Sequence, residues 1–522
     1  MSPSFTLKYT FCYIFSRFGC KKQQETLDIS LRKWGEYMSE FSKLFSQIIK
    51  ARDVNVSALT GYCGLDRSTM YKLINGKRNP SSKELVRKIS EHLSLNPREA
   101  QELMDAYEMT RVGSETYLRR RSVQDFILNF RSIQKNRQSG LATVSISREA
   151  ISGIYDENKK TFPLNGRFEL SAMIHRIFLI EASGKECHIS ILAQPEHLEA
   201  LDIAASIPVS YGDVKPNAEI RNIICINNVK NFIRSQENYN LQCLKRILPF
   251  YNTGYQYEPR YYYDDINAHF GDFNFMPCVF LTREAAVICS GDLTEGICFR
   301  EEQVVAQIRE YFDRSWEKAS PMLLSFESSL EFHFQKFPVL VSSCRDSYIL
   351  GFGPCLSSCL TPDLVEKYVK RDLPDRENFI EQANQYLASV GKIWAHNFFS
   401  RDGIKSFLET GIIEEIPPEI YQPLDYPDRV RVLKKYCALI GSGRKIRMFK
   451  NEMEHFPRNF HLFVSAGFGY LQFSSGEGRY YYLLLEEQSL LNAFYDFSVF
   501  LEESTILYSE EETKKFLKEY IC

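Results

Sequence analysis

Basic side chains are concentrated in the N-terminal part of the chain, and their chemistry suits phosphate binding. Residues 38–90 contain ten Lys or Arg against four acidic residues, and residues 109–137 contain seven against two. The whole chain of 522 residues has a formal net charge of only −2, so the remainder is acidic. A basic N-terminal segment followed by an acidic remainder is typical of a protein that binds nucleic acid through one end. The alternative is an ordinary solvated, charged helix face.

Residues suited to catalysis or metal binding do not form a recognisable constellation. The nine His are dispersed, and neither His188 nor His197, beside Cys187, has a second pair of metal ligands at a fixed spacing. The glycines of 351–353 and 467–469 are too sparse for a phosphate-binding loop. We therefore expect no enzymatic activity, no cofactor and no metal site.

Composition and length indicate a multidomain protein of the cytoplasm. At about 100–200 residues per domain, the chain has room for about three domains. None of its 14 Cys forms a CxxC pair, which favours buried thiols in a reducing compartment. No apolar run approaches the ~20 residues that cross a bilayer, so we expect no membrane association.

Five short helices are expected to position the basic residues of the N-terminal region. Ser57 is a plausible N-cap of the second helix, and Gly64 follows it at a tight turn, where positive φ is tolerated. Asp66 can cap the third helix, Asn75-Gly76 can end it, and Pro97 opens the fifth at the tolerated first position. The first four predicted helices span 39–51, 57–63, 67–75 and 82–93.

The stretch from Val56 to Ser81 resembles the XRE family, the phage-repressor and Cro-like helix-turn-helix proteins. The resemblance covers residues of about 38–108 only. Thr60 stands where the family usually has Ala, and the second helix lacks the Gln often found at its start. The matching positions are Leu59, Gly64, Arg67, Ser68, Thr69, Gly76, Lys77, Arg78, Pro80 and Ser81.

The resemblance implies a mode of DNA binding. The third helix would lie in the major groove, where the planar fork of Arg67 matches two acceptors of guanine. Other residues of this helix would contact bases or phosphates, and the basic loop after it would contact the backbone. Ser57 or another residue would replace the missing Gln. The candidate DNA-binding residues are Ser57, Arg67, Ser68, Thr69, Tyr71, Lys72, Lys77 and Arg78.

The fold class expected is multidomain: an all-α helix-turn-helix domain followed by a large α/β (α+β) C-terminal region, with two related domains as an open alternative. Residues 1–37 are expected to be a poorly ordered extension, with Met38 as an alternative start. The expected boundaries are 38–112 for the helix-turn-helix domain, 113–142 for a linker helix, 143–322 for an α/β sensor domain and 323–522 for a second mixed domain.

Strand-like and helix-like runs alternate through the C-terminal region. In the sensor domain, strands are predicted at 187–193, 221–226, 276–281 and 285–290, and helices at 196–207, 241–250 and 301–319. In the last domain, strands are predicted at 332–342, 462–473 and 479–485, and helices at 375–389, 426–440, 490–502 and 510–520. The tyrosine runs 261–263 and 480–482 suit a ligand pocket, although packing of an aromatic strand against its neighbours is the commoner outcome.

These features favour a sequence-specific, DNA-binding transcriptional regulator whose C-terminal region senses an effector or assembles. We expect double-stranded DNA as a partner, a homodimer on paired half-sites, and an unknown small-molecule or peptide effector. The apolar stripe of 118–130 in the linker helix is a candidate dimer contact. The alternative is a protein-interaction or antitoxin-like module that uses the helix-turn-helix domain only for targeting.

Overall fold

The computed structural model describes residues 38–135, 159–184, 186–194, 218–227, 239–252, 256–264, 275–326, 331–341, 346–390, 395–474 and 480–521. The chain divides into two compact units, the first up to Leu118 and the second from Arg119. The predicted extension at 1–37 and the predicted helix at 196–207 lie outside the described residues.

Five amphipathic helices make up the described part of the first unit up to Val112. They are α1 (Glu40–Ala51), α2 (Val56–Cys63), α3 (Arg67–Ile74), α4 (Lys83–His92) and α5 (Pro97–Val112). Apolar residues recur at helical spacing in these segments, so each helix turns one apolar face to a shared core. The fully buried residues of that core are Phe41, Phe45, Leu59, Met70, Val86, Ile89 and Leu103.

Short polar side chains fix the ends of α2 and α3. The cap of α2 is Asn55, whose Oδ1 accepts hydrogen bonds from two backbone N–H groups of the first turn, at 3.1 and 3.2 Å. The sequence predicted Ser57 as this cap, but Ser57 lies inside the helix. Gly64 ends α2 with a φ of 66°. Asp66 caps α3 by accepting from the Thr69 N–H at 2.8 Å, which satisfies one of the backbone donors that a helix start leaves without an intrahelical partner.

The boundary between the two units falls within α6 (Ser114–Leu128), which α7 (Phe130–Lys135) follows. The apolar stripe beyond the boundary is buried in the core of the second unit, where the rings of Phe130 and Phe460 lie 4.4 Å apart. This part of the helix is therefore not the linker that the sequence predicted. Its apolar side chains have no exposed surface, so they are not available for a dimer contact. The buried residues of the stripe are Val123, Phe126, Ile127 and Phe130.

The second unit contains two mixed sheets, and the first has eight strands. Its order is β1-β7-β6-β5-β2-β3-β4-β8, in which β2, β3 and β4 are parallel and β5 to β7 form an antiparallel meander. The strands are β1 (Thr161–Asn165), β2 (Cys187–Leu192), β3 (Ala218–Asn227), β4 (Gln256–Asp264), β5 (Cys278–Leu281), β6 (Ala286–Cys289), β7 (Glu295–Phe299) and β8 (Ser320–Pro321).

Helices cover both faces of the first sheet. On one face lie α8 (Gly166–Ser183) and α9 (Tyr239–Ile247), which pack with Ile220 and Ile224 of β3. On the other lies α10 (Glu302–Lys318), which packs with Ile223. Because neighbouring residues of β3 face opposite layers that are both apolar, this strand has a continuous apolar run rather than an alternating pattern.

The second sheet repeats the strand order of the first. Its order is β9-β15-β14-β13-β10-β11-β12, so that each strand corresponds to the one numbered eight lower, with the same pairing directions. This agreement favours the two related domains that the sequence left open. The strands are β9 (Leu323–Phe326), β10 (Ser347–Gly351), β11 (Ala395–Phe399), β12 (Ile446–Met448), β13 (Phe460–Val464), β14 (Gly469–Ser474) and β15 (Tyr480–Leu485).

One apolar core joins the two sheets. It contains residues of α8 and α9 from the first half and Phe494, Phe497 and Leu501 from the helix after β15. The opposite face of the second sheet is covered by separate clusters of side chains from the helices between its strands and from the last helix of the chain. The helices of this half are α11 (Phe337–Val341), α12 (Pro362–Tyr368), α13 (Arg376–Val390), α14 (Arg401–Thr410), α15 (Tyr426–Leu439), α16 (Gln488–Glu503) and α17 (Glu510–Ile521).

The strand predicted at 332–342 is wrong. Its described residues form a π-helical turn, Glu331–Lys336, that runs into α11. The spacing of Phe332 and Phe334 is that of residues on one face of a strand. In the structure, however, the deeply buried pair is Phe332 and Phe337. Residues five apart share one side of a π-helix, whose hydrogen bonds join residues five apart. The strand predicted at 462–473 is likewise the hairpin of β13 and β14.

Candidate nucleic-acid interface and ligand cavity

Helix α3 presents a polar face. The side chains of Arg67, Ser68, Tyr71 and Lys72 are exposed. They lie on one side of the helix, because residues four apart in sequence are neighbours on its surface. The guanidinium carbon of Arg67 lies 5.8 Å from the centroid of the Tyr71 ring. The side turned to the core carries Met70, Leu73 and Ile74, which are buried.

Thr69 differs from the other candidates on α3 because it is half-buried and takes part in the cap of its own helix. Its hydroxyl donates to Oδ2 of Asp66 at 2.6 Å. The hydrogen bonds from Thr69 hold the pKa of the Asp66 carboxyl below its usual range. The Thr69 hydroxyl is therefore committed to fixing the start of α3, so a contact with DNA would compete with that bond.

The basic loop after α3 folds back on the end of the helix. The N–H groups of Lys77 and Arg78 both donate to the carbonyl oxygen of Lys72, at 2.8 and 3.1 Å. Gly76 makes this reversal possible with a φ of 73°, which favours glycine. The side chains of Lys77 and Arg78 are exposed, as is that of Ser57 in the first turn of α2.

A second candidate site is a cavity of about 160 Å³ within the second half of the second unit. Its walls come from the π-helical turn, α12, α13, α15 and the strands β10, β11, β13 and β14. They are mainly apolar and include Phe334, Phe337, Val365, Phe379 and Leu387. A concave apolar space with a few convergent polar groups is the usual form of a small-molecule site.

Asn397, at the centre of β11, organises one wall of the cavity. Its Oδ1 accepts a short hydrogen bond from the Tyr436 hydroxyl and another from the Cys355 N–H at 2.9 Å. Its Nδ2 donates to the Ile349 carbonyl at 3.2 Å. The amide oxygen thus accepts two hydrogen bonds, one of which fixes the loop after β10, because buried backbone groups need partners.

Glu415 holds the next two residues of the same loop. Its Oε1 accepts from the N–H groups of Leu356 and Ser357, at 2.9 and 3.3 Å, and from the Ser357 hydroxyl at 2.9 Å. Burial raises the pKa of the Glu415 carboxyl, against the hydrogen bonds of Ser357, which lower it. These three bonds all reach Oε1, and the Cys355 side chain also forms a hydrogen bond with the Glu415 carboxyl.

Two histidines of the cavity wall are kept neutral. Burial lowers the pKa of His461 to about 4. Burial, with a smaller contribution from nearby His461, lowers the pKa of His333 to about 3. Both side chains nevertheless retain partial accessibility. Both residues contribute to the lining of the cavity.

A polar recess of about 210 Å³ adjoins the cavity. Glu415, His461 and Gln472 line both spaces and so form the boundary between them. Glu414 and Arg458 also line the recess. Burial raises the pKa of the Glu414 carboxyl, while the Arg458 guanidinium lies over the Phe352 ring at 4.7 Å.

The sequence did not identify the cavity residues. Of the tyrosine runs considered for a pocket, Tyr261 is buried and Tyr482 is fully buried, and only Tyr480 lines the recess. The lining residues are spread over more than a hundred positions, so no local motif could have shown that they meet.

Within the described ranges, no group of three or more His, Cys, Asp or Glu side chains is placed to hold a metal ion. Nor is any of the described helices both long and apolar enough to cross a membrane.

Comparisons with known proteins leave the family open. No protein-family model matches the chain. No curated protein matches it either. Among solved structures, one match is TrmBL2, described as an archaeal chromatin protein with a novel mode of DNA binding, at 11% identity and a TM-score of 0.20. The match covers 49% of this chain and 84% of that one. A likeness this low establishes no shared fold.

Proposed function

We propose that this protein is a sequence-specific, DNA-binding transcriptional regulator that contacts the major groove with α3. The observation that carries the proposal is the exposed face of Arg67, Ser68, Tyr71 and Lys72, on a helix that follows α2 after a tight glycine turn. A guanidinium can bind guanine through two hydrogen bonds, and ammonium groups bind phosphates.

The surroundings of α3 support this assignment. Asp66 and Thr69 fix the start of the helix, while Lys77 and Arg78 are held beside its end by their N–H bonds to Lys72. A fixed helix with cations at its end would combine base contacts with phosphate contacts that set its register. We expect two copies to bind one pseudo-palindromic site, as proteins with this kind of helix pair commonly do.

The second unit is proposed to be the effector or assembly module of the regulator. The cavity between its helices and its second sheet supports a response to a small molecule. Binding there would alter DNA affinity only if the effector favours one of two states of the protein, a coupling that typically amounts to 1–3 kcal/mol.

Genome-wide DNA capture with the purified full-length protein at two salt concentrations tests the proposal. We expect enrichment of one short pseudo-palindromic motif at both concentrations, and its loss in the double variant Arg67→Ala, Lys72→Ala. The double variant Lys50→Ala, Arg98→Ala is the control, because both residues are exposed on other helices. Retention without any preferred sequence would overturn the proposal and favour a protein-interaction module.

A further inference from the structure

We propose that the cavity of the second half binds a mainly apolar small molecule that carries a hydrogen-bond-donating head group, such as an amine or a hydroxyl. The proposal names the ligand class of the effector module and in this sense rests on the proposed function. Its evidence, however, is the geometry of the cavity, and its test needs no DNA.

The apolar walls define the body of the ligand. Side chains from α12, α13 and the π-helical turn surround the space, among them Val365, Phe379 and Phe334. The cavity measures about 160 Å³, and an apolar cavity of about 150 Å³ in another protein holds benzene. A body of the size of one aromatic ring therefore fits, and its transfer from water would drive binding.

The boundary with the polar recess defines the head group. The bonds from Leu356 and Ser357 all reach Oε1 of Glu415, so the carboxylate keeps acceptor capacity on Oε2 beside the Cys355 thiol, which also bonds to this carboxyl. Gln472 is 2% exposed, its Nε2 donates to the Glu415 carbonyl at 3.0 Å, and its buried Oε1 has no hydrogen-bond partner. A small adjustment of that side chain would offer a second acceptor beside the carboxylate. Two acceptors at one end of the cavity call for a donor on the ligand.

The charges at the polar end of the cavity also favour a head group that donates hydrogen bonds. Glu414 and Glu415 line the recess with one guanidinium, that of Arg458, while His461 is neutral at physiological pH because burial holds its pKa at about 4. Beside Glu415 a carboxylate head group would meet like charge in a poorly solvated place, where the repulsion is strong, although the Arg444 guanidinium also lines the cavity. An amine or a hydroxyl would instead bond to Glu415.

The corresponding place in the first half contains aromatic rings. Asn222 lies in the interior of β3, the counterpart of β11, and like Asn397 it is bonded to a tyrosine hydroxyl, that of Tyr257 at 3.2 Å. Here the Tyr257 ring stacks on Phe250 with centroids 4.6 Å apart, and both residues are buried. The two halves thus share a polar strand position but differ in what surrounds it, which indicates that the space in the second half is a specific feature.

Calorimetry of the full-length protein at pH 7 with benzylamine, benzyl alcohol and benzoate tests the inference. We expect the amine and the alcohol to bind at millimolar concentration, and benzoate to bind at least about tenfold more weakly. Absence of binding by both donor-bearing probes would overturn the inference, as would equal binding of benzoate.

Variants locate the binding. Ala383→Trp places an indole into the cavity and should abolish binding, whereas Ala388→Trp, on the exposed side of the same helix, should not. Val365→Phe fills less space and is the second variant if Ala383→Trp does not fold. Glu415→Gln should weaken benzylamine by about tenfold and benzyl alcohol less. Unchanged affinity in the two filling variants would overturn the assignment of the cavity.

A failure of the DNA-binding proposal can be distinguished from a failure of the ligand site. The variant Arg67→Ala, which removes the proposed base contact in the first unit, should bind benzylamine as the unchanged protein does. If DNA capture fails but the probes bind, the ligand site stands without the regulator; if the probes fail but DNA capture succeeds, only the ligand site is wrong.

Discussion

The guanidinium carbon of Arg67 lies 5.8 Å from the centroid of the Tyr71 ring, one turn further along α3. Both side chains are exposed, so the ring restricts the guanidinium without removing it from solvent. A cation over an exposed aromatic face gains about 0.5–1 kcal/mol. The pair thus presents a partly ordered donor fork on the face proposed to enter the major groove.

Replacing Arg67 by Lys should relax specificity more than affinity. Lys keeps the charge but loses the planar fork, so discrimination at one base pair should fall by about 1–3 kcal/mol while non-specific binding stays nearly unchanged. Competition binding with single-base variants of the captured motif measures this. The same change at Arg98, an exposed residue of α5 paired with Glu102, should have no effect. Equal loss of affinity at every base position would contradict a base contact by Arg67.

The double variant Lys77→Ala, Arg78→Ala should weaken binding to all sequences alike. Each phosphate contact adds about 0.9 to the slope of log affinity against log salt concentration, so the slope should fall by about 2. Fluorescence anisotropy over a salt series measures it. Lys50→Ala, at an exposed position on α1, should leave the slope unchanged. A normal slope in the double variant would mean that the basic loop does not touch the DNA backbone.

Acid should destabilise the protein through His461. Its folded pKa of about 4 lies below the ordinary value of 6.5, so between these values the unfolded chain binds more protons than the folded one. Stability is therefore complete above about pH 6.5 and falls as the pH approaches 4, with a loss of about 2 kcal/mol at pH 5 from this residue.

Urea unfolding of the full chain at pH 7 and pH 5, followed by a signal from the second unit, tests this pH dependence. His461→Gln removes the titrating ring and should make the difference between the two midpoints smaller. His188→Gln is the control, because that side chain is 44% exposed in β2. A pH dependence in His461→Gln as large as in the unchanged protein would show that other groups cause the acid sensitivity.

Local patterns in the sequence predicted much of the fold. The stripes of α1 and α4 fit helices because apolar residues recur every three to four positions. The strands β5 and β6 were predicted from two short apolar runs at 276–281 and 285–290, and they pair as a hairpin with Cys278 opposite Cys289. The prediction failed where the local pattern was ambiguous. Phe332 and Phe334 have the spacing of residues on one face of a strand, but the segment is helical and buries Phe332 together with Phe337.

The sequence by itself determined the basic face of α3, since Arg67, Lys72 and the turn glycines lie within one short stretch whose geometry depends on neighbouring residues. Only the tertiary structure decided where Phe126 lies. The residue was predicted on a linker helix but is fully buried in the core of the second unit. It also brought together Asn397, Glu415 and Gln472 through strand pairing and helix packing. Contacts between residues so distant in sequence follow from topology, which no local periodicity encodes.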